Sequence, residues 1–152
     1  MNELRSAFTM VELVFVIVII GILSAVAVPK LAATRDDALI TRGKQTLASV
    51  RSALSTERQK RVLRGDFTRI TDLSADTGTS GKVFDTFSAD KDGNKNDVLE
   101  YPPKNCTGSG CWEKSSATSY IFHYYGGGTC TYNLNATGTK FEVSGSCSVF
   151  GE

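Results

Sequence analysis

Histidine is nearly missing from this chain of 152 residues, which has only His123. Imidazole-based metal centres and Ser/His/Asp or Cys/His catalytic sets need a histidine beside particular partners, and no motif places His123 in such a set. We expect it to be an ordinary strand side chain. A phosphate-binding loop is missing as well, because Gly126–Gly128 has neither the spacing nor the following helix of a nucleotide motif. These absences predict that the protein is not an enzyme.

An excess of charge of one sign is also missing, since the formal net charge is +1. Bulk electrostatic attraction to nucleic acid is therefore not predicted. The charges are unevenly placed, however: Phe8–Val28 contains one charged residue, Glu12, and most of the others follow Lys30. An apolar run of about 20 residues matches the ~30 Å hydrocarbon core of a bilayer. The rest of the chain is too polar to span again, so the sequence predicts one membrane crossing near its beginning.

Two ordinary interpretations of this segment leave something unexplained. A cleaved secretory signal, with Ala25–Ala27 as its cleavage site, should have an apolar core of only about 7–15 residues. A simple membrane anchor accounts for the length but would work better with leucine at position 12. Inserting a lone carboxylate such as Glu12 costs about 2.5–3.5 kcal/mol on insertion scales, and neither interpretation gives that cost a purpose.

A third interpretation accounts for both the length and the carboxylate. If the chain is cut between Ala7 and Phe8, the new terminus is a cationic amine one helical turn before Glu12. A buried charge is tolerable when it is paired and costly when it is not. Pairing between Glu12 and the Phe8 amine of a neighbouring subunit would then fix the register of an assembly.

The segment Ser6–Leu13, with the apolar stretch up to Pro29, resembles the class III prepilin signal of type IV pilins and type II secretion pseudopilins. In that family a prepilin peptidase removes a short leader before a phenylalanine, the new amine is methylated, and a glutamate stands at the fifth mature position. The resemblance implies cleavage and methylation at Ala7 and Phe8, assembly through Phe8 and Glu12, and helix bending at Gly21 and Pro29. The family usually has glycine before the cut, so Ala7 predicts slower processing.

The resemblance implies a structural subunit of a type II secretion or type IV pilus-like filament, and a pseudopilin that supports protein secretion is the first choice. Its partners would be other copies, the prepilin peptidase, an assembly-platform membrane protein and a cytoplasmic ATPase. It would be a single-pass protein of a bacterial inner membrane, with its C-terminal domain in the periplasm or on an extracellular filament. A minor type IV pilin or a competence pseudopilin for DNA uptake is an alternative. A membrane-anchored or secreted periplasmic binding module is the alternative from another class.

The helix is predicted to continue beyond the membrane segment. Apolar residues recur at three- and four-residue steps and form one stripe: Leu39, Gly43, Leu47, Val50 and Leu54. Glu57 is assigned to the opposite, polar face, and the helix should end near Gly65. The basic stretch Arg51–Arg69 lacks the interleaved aromatic residues that stack on bases. We expect it to be a solvated or filament-contact face, with nucleic acid as a partner only in a competence role.

The rest of the chain predicts an antiparallel meander packed on that stripe, after a loop at Phe67–Gly81. Candidate strands are Val83–Ser88, Tyr120–Tyr125, Thr129–Leu134 and Phe141–Phe150. The predicted fold is therefore α+β, with a long N-terminal helix on a small antiparallel sheet, as in type IV pilins. The expected divisions are a leader (1–7), a transmembrane or filament-core helix (8–28), its amphipathic continuation (29–64) and a β domain (65–152).

Four cysteines lie in the last third of the chain: Cys106, Cys111, Cys130 and Cys147. An even number beyond a membrane segment indicates disulfides in an oxidising compartment, and the spacings do not match the short pairs of a zinc site. Three pairings are possible. Cys106–Cys111 with Cys130–Cys147 requires the least rearrangement of the chain.

A run of oxygen-bearing side chains suggests a structural calcium site. Its candidate ligands are Asp90, Asp92, Asn94, Asn96 and Asp97. Oxygen ligands at alternate positions can converge on Ca²⁺, and the run is similar in character to the calcium loop of major pseudopilins. The spacing matches an EF-hand only in part, because Lys95 stands where that loop needs glycine. A solvated turn is the alternative.

Overall fold

The computed structural model describes residues 8–74 and 81–152. Its elements are one α-helix, α1 (Met10–Leu63), and four strands, β1 (Cys111–Lys114), β2 (Ser119–His123), β3 (Thr129–Leu134) and β4 (Phe141–Val143). A short 3₁₀ turn, Tyr125–Gly127, connects β2 to β3. The fold is therefore α+β, as the sequence predicts. The chain divides into two compact units between Arg35 and Asp36.

The first unit contains the apolar part of α1. In the described part of the chain, α1 is the one helix whose length and composition would allow it to cross a membrane. Pro29 lies inside this helix. Just after it, Thr34 Oγ1 donates a hydrogen bond of 2.7 Å to the carbonyl of Lys30, one turn earlier in the helix. Leader residues 1–7, including Ala7, lie outside the described residues.

In the second unit, the predicted stripe of α1 is buried against the sheet. Leu47, Val50 and Leu54 are at most 4% exposed. At Gly43 the contact is so close that a Cβ would lie 2.6 Å from the Phe122 ring. Here glycine is required because any side chain would push the helix away from β2.

The four strands form one antiparallel meander in the order β1-β2-β3-β4, but its first strand is β1 and not the predicted Val83–Ser88. Side chains of β2 and β3 alternate between buried and partly exposed, as expected for a sheet with one face in the core. Seven of the buried aromatic residues form one cluster: Phe84, Trp112, Tyr120, Phe122, Tyr132, Phe141 and Phe150. Their rings contact one another, with centroids 4.8–6.5 Å apart, and fill the space between sheet and helix.

Helix α1 ends as predicted, next to Gly65. The Asp66 N–H donates to the Arg61 carbonyl and the Gly65 N–H to the Val62 carbonyl, and Gly65 has a φ of 69°. This is a Schellman motif, which needs a residue that tolerates positive φ. The carboxylate of Asp66 is itself buried. Burial opposes its ionisation, but hydrogen bonds from Thr68 and from the Lys91 N–H outweigh that effect and lower its pKa to about 2.

The assignment of Glu57 to the solvated face is wrong, and so is the exposure expected for Arg61. They are 2% and 0% exposed and form an ion pair with a distance of 2.9 Å from Arg61 Nε to Glu57 Oε1. The Arg61 guanidinium also donates to the carbonyl of Ser88, and the Asn96 amide donates to the Glu57 carboxylate. The buried stripe therefore continues beyond Leu54, with paired charges in place of apolar side chains.

Candidate functional site

The most unusual surface of the chain is the apolar part of α1. The large apolar side chains between Phe8 and Leu31 are 40–81% exposed within the chain itself. Soluble monomers rarely expose apolar patches of more than a few hundred Å². A helix with apolar residues all round is stable only when lipid or other helices cover it.

Glu12 lies in the first turn of this helix and has a local role that the sequence analysis did not include. The Glu12 N–H donates to Thr9 Oγ1 at 3.2 Å, and the Thr9 N–H lies 3.4 Å from Glu12 Oε2. This reciprocal pair is a capping box, and the signature T-x-x-E before an apolar run could have revealed it. The Thr9 hydroxyl also contacts Oε2, at 3.3 Å. Among the described residues, Glu12 Oε1 has no hydrogen-bond partner, so the cap uses only part of the carboxylate.

The other predicted assembly residues occupy positions on the same helix. Phe8 is 78% exposed and precedes the cap residue Thr9. A Cβ added at Gly21 would meet no atom within 4 Å, so none of the described neighbours requires glycine there. Pairing between Glu12 and a Phe8 amine concerns two chains and stays a prediction.

The structure confirms the favoured disulfide pairing. Cys106 pairs with Cys111, and Cys130 on β3 pairs with Cys147 beyond β4. The second bridge joins the last hairpin to the C-terminal turn, with both sulfurs in the core. The first closes a short loop before β1, where Gly110 packs against Leu39 of α1.

The candidate calcium residues form a turn organised around Asp90. Asp90 Oδ1 accepts the N–H groups of Asp92 and Asn94 at 3.0 and 2.8 Å, and Oδ2 lies 3.4 Å from the Arg64 guanidinium. The backbone hydrogen bond from Asn94 is the main cause that lowers the pKa of Asp90.

The remaining members of this run contact different partners. Asn96 donates to Glu57, Asp92 pairs with Lys91 at 3.0 Å, and Asp97 is in register with Thr86. Within residues 8–74 and 81–152, no group of three or more His, Cys, Asp or Glu side chains is placed to hold a metal ion. Calcium binding stays a prediction for this turn.

Comparisons of the chain with family models, with curated proteins and with solved structures found no match. A long N-terminal apolar helix followed by a small antiparallel sheet is compatible with a pilin-like fold. The chain's own residues therefore carry the functional assignment.

Proposed function

We propose that this chain is a pilin-like structural subunit, inserted in a bacterial inner membrane and assembled into a filament through the apolar part of α1. The observation that carries the proposal is an apolar helix, exposed on all sides, with an ionisable Glu12 in its first turn. Lipid would cover the helix before assembly and neighbouring helices afterwards.

Glu12 favours a filament subunit over a simple anchor. The capping box stabilises the helix start, but glutamine at position 12 would do this equally well. A negative charge at that depth is therefore more than the cap needs. In the proposed filament, Glu12 pairs with the Phe8 amine of a neighbouring subunit after cleavage behind Ala7, so that a correctly placed subunit satisfies both charges.

Within this class we favour a type II secretion pseudopilin, added to the base of the filament by the assembly platform and its ATPase and supporting protein secretion. The two disulfides favour a second candidate, a minor type IV pilin, because pilins commonly carry them. A competence pseudopilin would share the same assembly chemistry. A periplasmic binding module would need the helix only as an anchor.

The decisive experiment separates the charge of Glu12 from its capping role. Glu12→Gln keeps the cap and removes the charge, whereas Thr9→Ala removes the cap and keeps the charge. In the native host, we expect Glu12→Gln to insert in the membrane but to lose most of the sheared filament fraction. Thr9→Ala should still assemble. If Glu12→Gln assembles like the parent chain, the proposed pairing of its charge is refuted. If the parent chain itself gives no sheared filament fraction, the filament proposal fails and a simple anchor remains.

Intact mass of the protein from its native membrane tests processing independently. We expect a chain that begins at Phe8, carries one added methyl group and lacks the four hydrogens of two disulfides. A chain that begins at Val28 would identify an ordinary secreted protein. An uncut chain would contradict the proposed maturation.

A further inference from the structure

Two lysines stand directly opposite each other outside the sheet. Lys82 and Lys104 form an isolated antiparallel bridge, flanked by hydrogen bonds from Val83 N–H to the Pro103 carbonyl (2.8 Å) and from Asn105 N–H to the Gly81 carbonyl (2.9 Å). This pattern makes them a non-hydrogen-bonded pair, the type in which opposite side chains are closest. Like charges in that position are destabilising.

A third cation lies nearby, because Lys104 lines a cleft together with Arg42 of α1. The cleft has a volume of about 250 Å³, and none of the described residues that line it is acidic. Arg42, Lys82 and Lys104 are all exposed. The ion pairs among the described residues all involve other cations. Positive charge is thus concentrated here without a carboxylate of the described chain to balance it.

The cleft is also lined by a disulfide and a buried aromatic residue. The Cys106–Cys111 disulfide and Trp112 form part of the lining. Trp112 is 2% exposed, and its Nε1 has no hydrogen-bond partner among the described residues. An indole N–H is a donor only, and an arginine or a lysine also donates only. Trp112 Nε1 is itself buried, so the charged donors that a ligand in the cleft can reach are those of Arg42 and Lys104, which suit an acceptor ligand.

We propose that this cleft, lined by Arg42, Lys104 and Trp112 and with Lys82 opposite Lys104 in the isolated bridge, binds a small phosphate-bearing anion. A bound dianion would attract both Lys82 and Lys104 and would offset the repulsion between them. Arginine forms bidentate bonds to phosphate, and lysine adds a point charge. The volume is below the range of about 300–1,000 Å³ typical of drug-sized ligands, so it fits a phosphate or pyrophosphate group. The group could belong to a free anion or to a lipid headgroup, and the site does not depend on filament assembly.

Trp112 provides a local readout because it is the only tryptophan in the chain. The full-length protein in neutral detergent is titrated with sodium pyrophosphate at low ionic strength, and tryptophan fluorescence is followed. We expect a saturable change for the parent chain and at least about tenfold weaker binding for Arg42→Gln or Lys104→Gln. The matched control is Lys140→Gln, which removes the same charge from a lysine that pairs with Glu142. It should change the affinity less than about twofold.

Lys82→Gln should change the Tm and the anion affinity in opposite directions, which would not be expected if Lys82 had only a structural role. Removing the repulsion should raise the Tm of the anion-free protein by about 1–3 °C, while pyrophosphate binding becomes weaker. A lower Tm with unchanged binding would overturn the proposal.

Short-chain phosphatidic acid, with short-chain phosphatidylcholine as its control, tests the lipid source. Binding of pyrophosphate assigns the site to free anions, and binding of phosphatidic acid alone assigns it to headgroups. No saturable fluorescence change with either probe, or equal weakening by Lys140→Gln, would refute the site.

Discussion

Breaking the buried ion pair between Glu57 and Arg61 tests what contributes to the stability of the second unit. Arg61→Leu removes the guanidinium and leaves the Glu57 carboxylate 2% exposed, with only the Asn96 amide as a side-chain donor. Breaking a buried pair in this way costs about 3–5 kcal/mol, because one charge stays buried without compensation. For a unit of this size the loss corresponds to a fall in Tm of about 10–20 °C.

The assay is thermal unfolding of the full-length protein in detergent, followed by near-UV circular dichroism of the aromatic core. Lys60→Leu is the matched control, since Lys60 is an exposed cation on the neighbouring position of α1 and should change stability by less than about 0.5 kcal/mol. The double variant Glu57→Leu/Arg61→Leu should be more stable than the sum of the single effects predicts, by about 1–3 kcal/mol. The reasoning is refuted if Arg61→Leu unfolds at the same temperature as Lys60→Leu, or if the two single effects simply add.

Two further predictions concern the helix and its end. Gly43→Ala should destabilise the protein by about 1–3 kcal/mol although alanine favours helices, because the new Cβ would clash with the Phe122 ring; urea unfolding measures the loss. The folded-state pKa of Asp66, about 2, lies below the 3.8 of a free aspartate. Its contribution is therefore complete above about pH 4 and is lost as the pH falls towards 2. Asp66→Asn should accordingly flatten the fall of Tm in this range.

Each of these variants has a control on the same element or turn. Ser52→Ala, on the exposed side of α1, should leave the stability within about 0.5 kcal/mol. Asp92→Asn removes an exposed carboxylate near Asp66 and should leave the acid-induced fall of Tm unchanged. A Gly43→Ala protein as stable as the parent would contradict the close packing of helix and sheet. An unchanged acid profile in Asp66→Asn would contradict the assigned role of that carboxylate.

Local patterns were sufficient to predict α1, β2, β3 and the disulfide pairing. The three- and four-residue spacing of apolar residues predicted which face of α1 is buried. The alternation of large side chains predicted the two central strands, β2 and β3. The end of α1 was predictable because Gly65 supplies the positive φ that a helix end needs. These features depend on neighbours in sequence, which is why the sequence alone reveals them.

The errors arose where distant contacts decide the structure. Val83–Ser88 looks like a strand, but Phe84 has a φ of 61° and the segment forms only isolated bridges. Phe141–Phe150 was predicted as one strand, whereas β4 ends at Val143, before Gly145 takes a φ of 94°. The short strand β1 was missed because the four residues Cys111–Lys114 show little strand pattern in the sequence. Only their pairing with β2 identifies them as a strand.

The candidate assembly site was predictable only in part. The apolar run and the position of Glu12 are explicit in the sequence, but the capping box was overlooked although its signature is equally explicit. The burial of Glu57 and Arg61 was not predictable, because a charged pair at i and i+4 on a helix is usually solvated. This pair can be buried because the Ser88 carbonyl accepts a hydrogen bond from Arg61 and the Asn96 amide donates one to Glu57.

The two edges of the sheet determine whether strands of another molecule could pair with it. One edge, β4, is three residues long, with the charged Lys140 just before it and Glu142 within it. At the other, Asn105 pairs with Trp112 of β1 in a parallel bridge. Short, charged or covered edges offer little template for strand addition. Many copies of this domain could therefore be held side by side without their sheets merging, as the proposed filament would require.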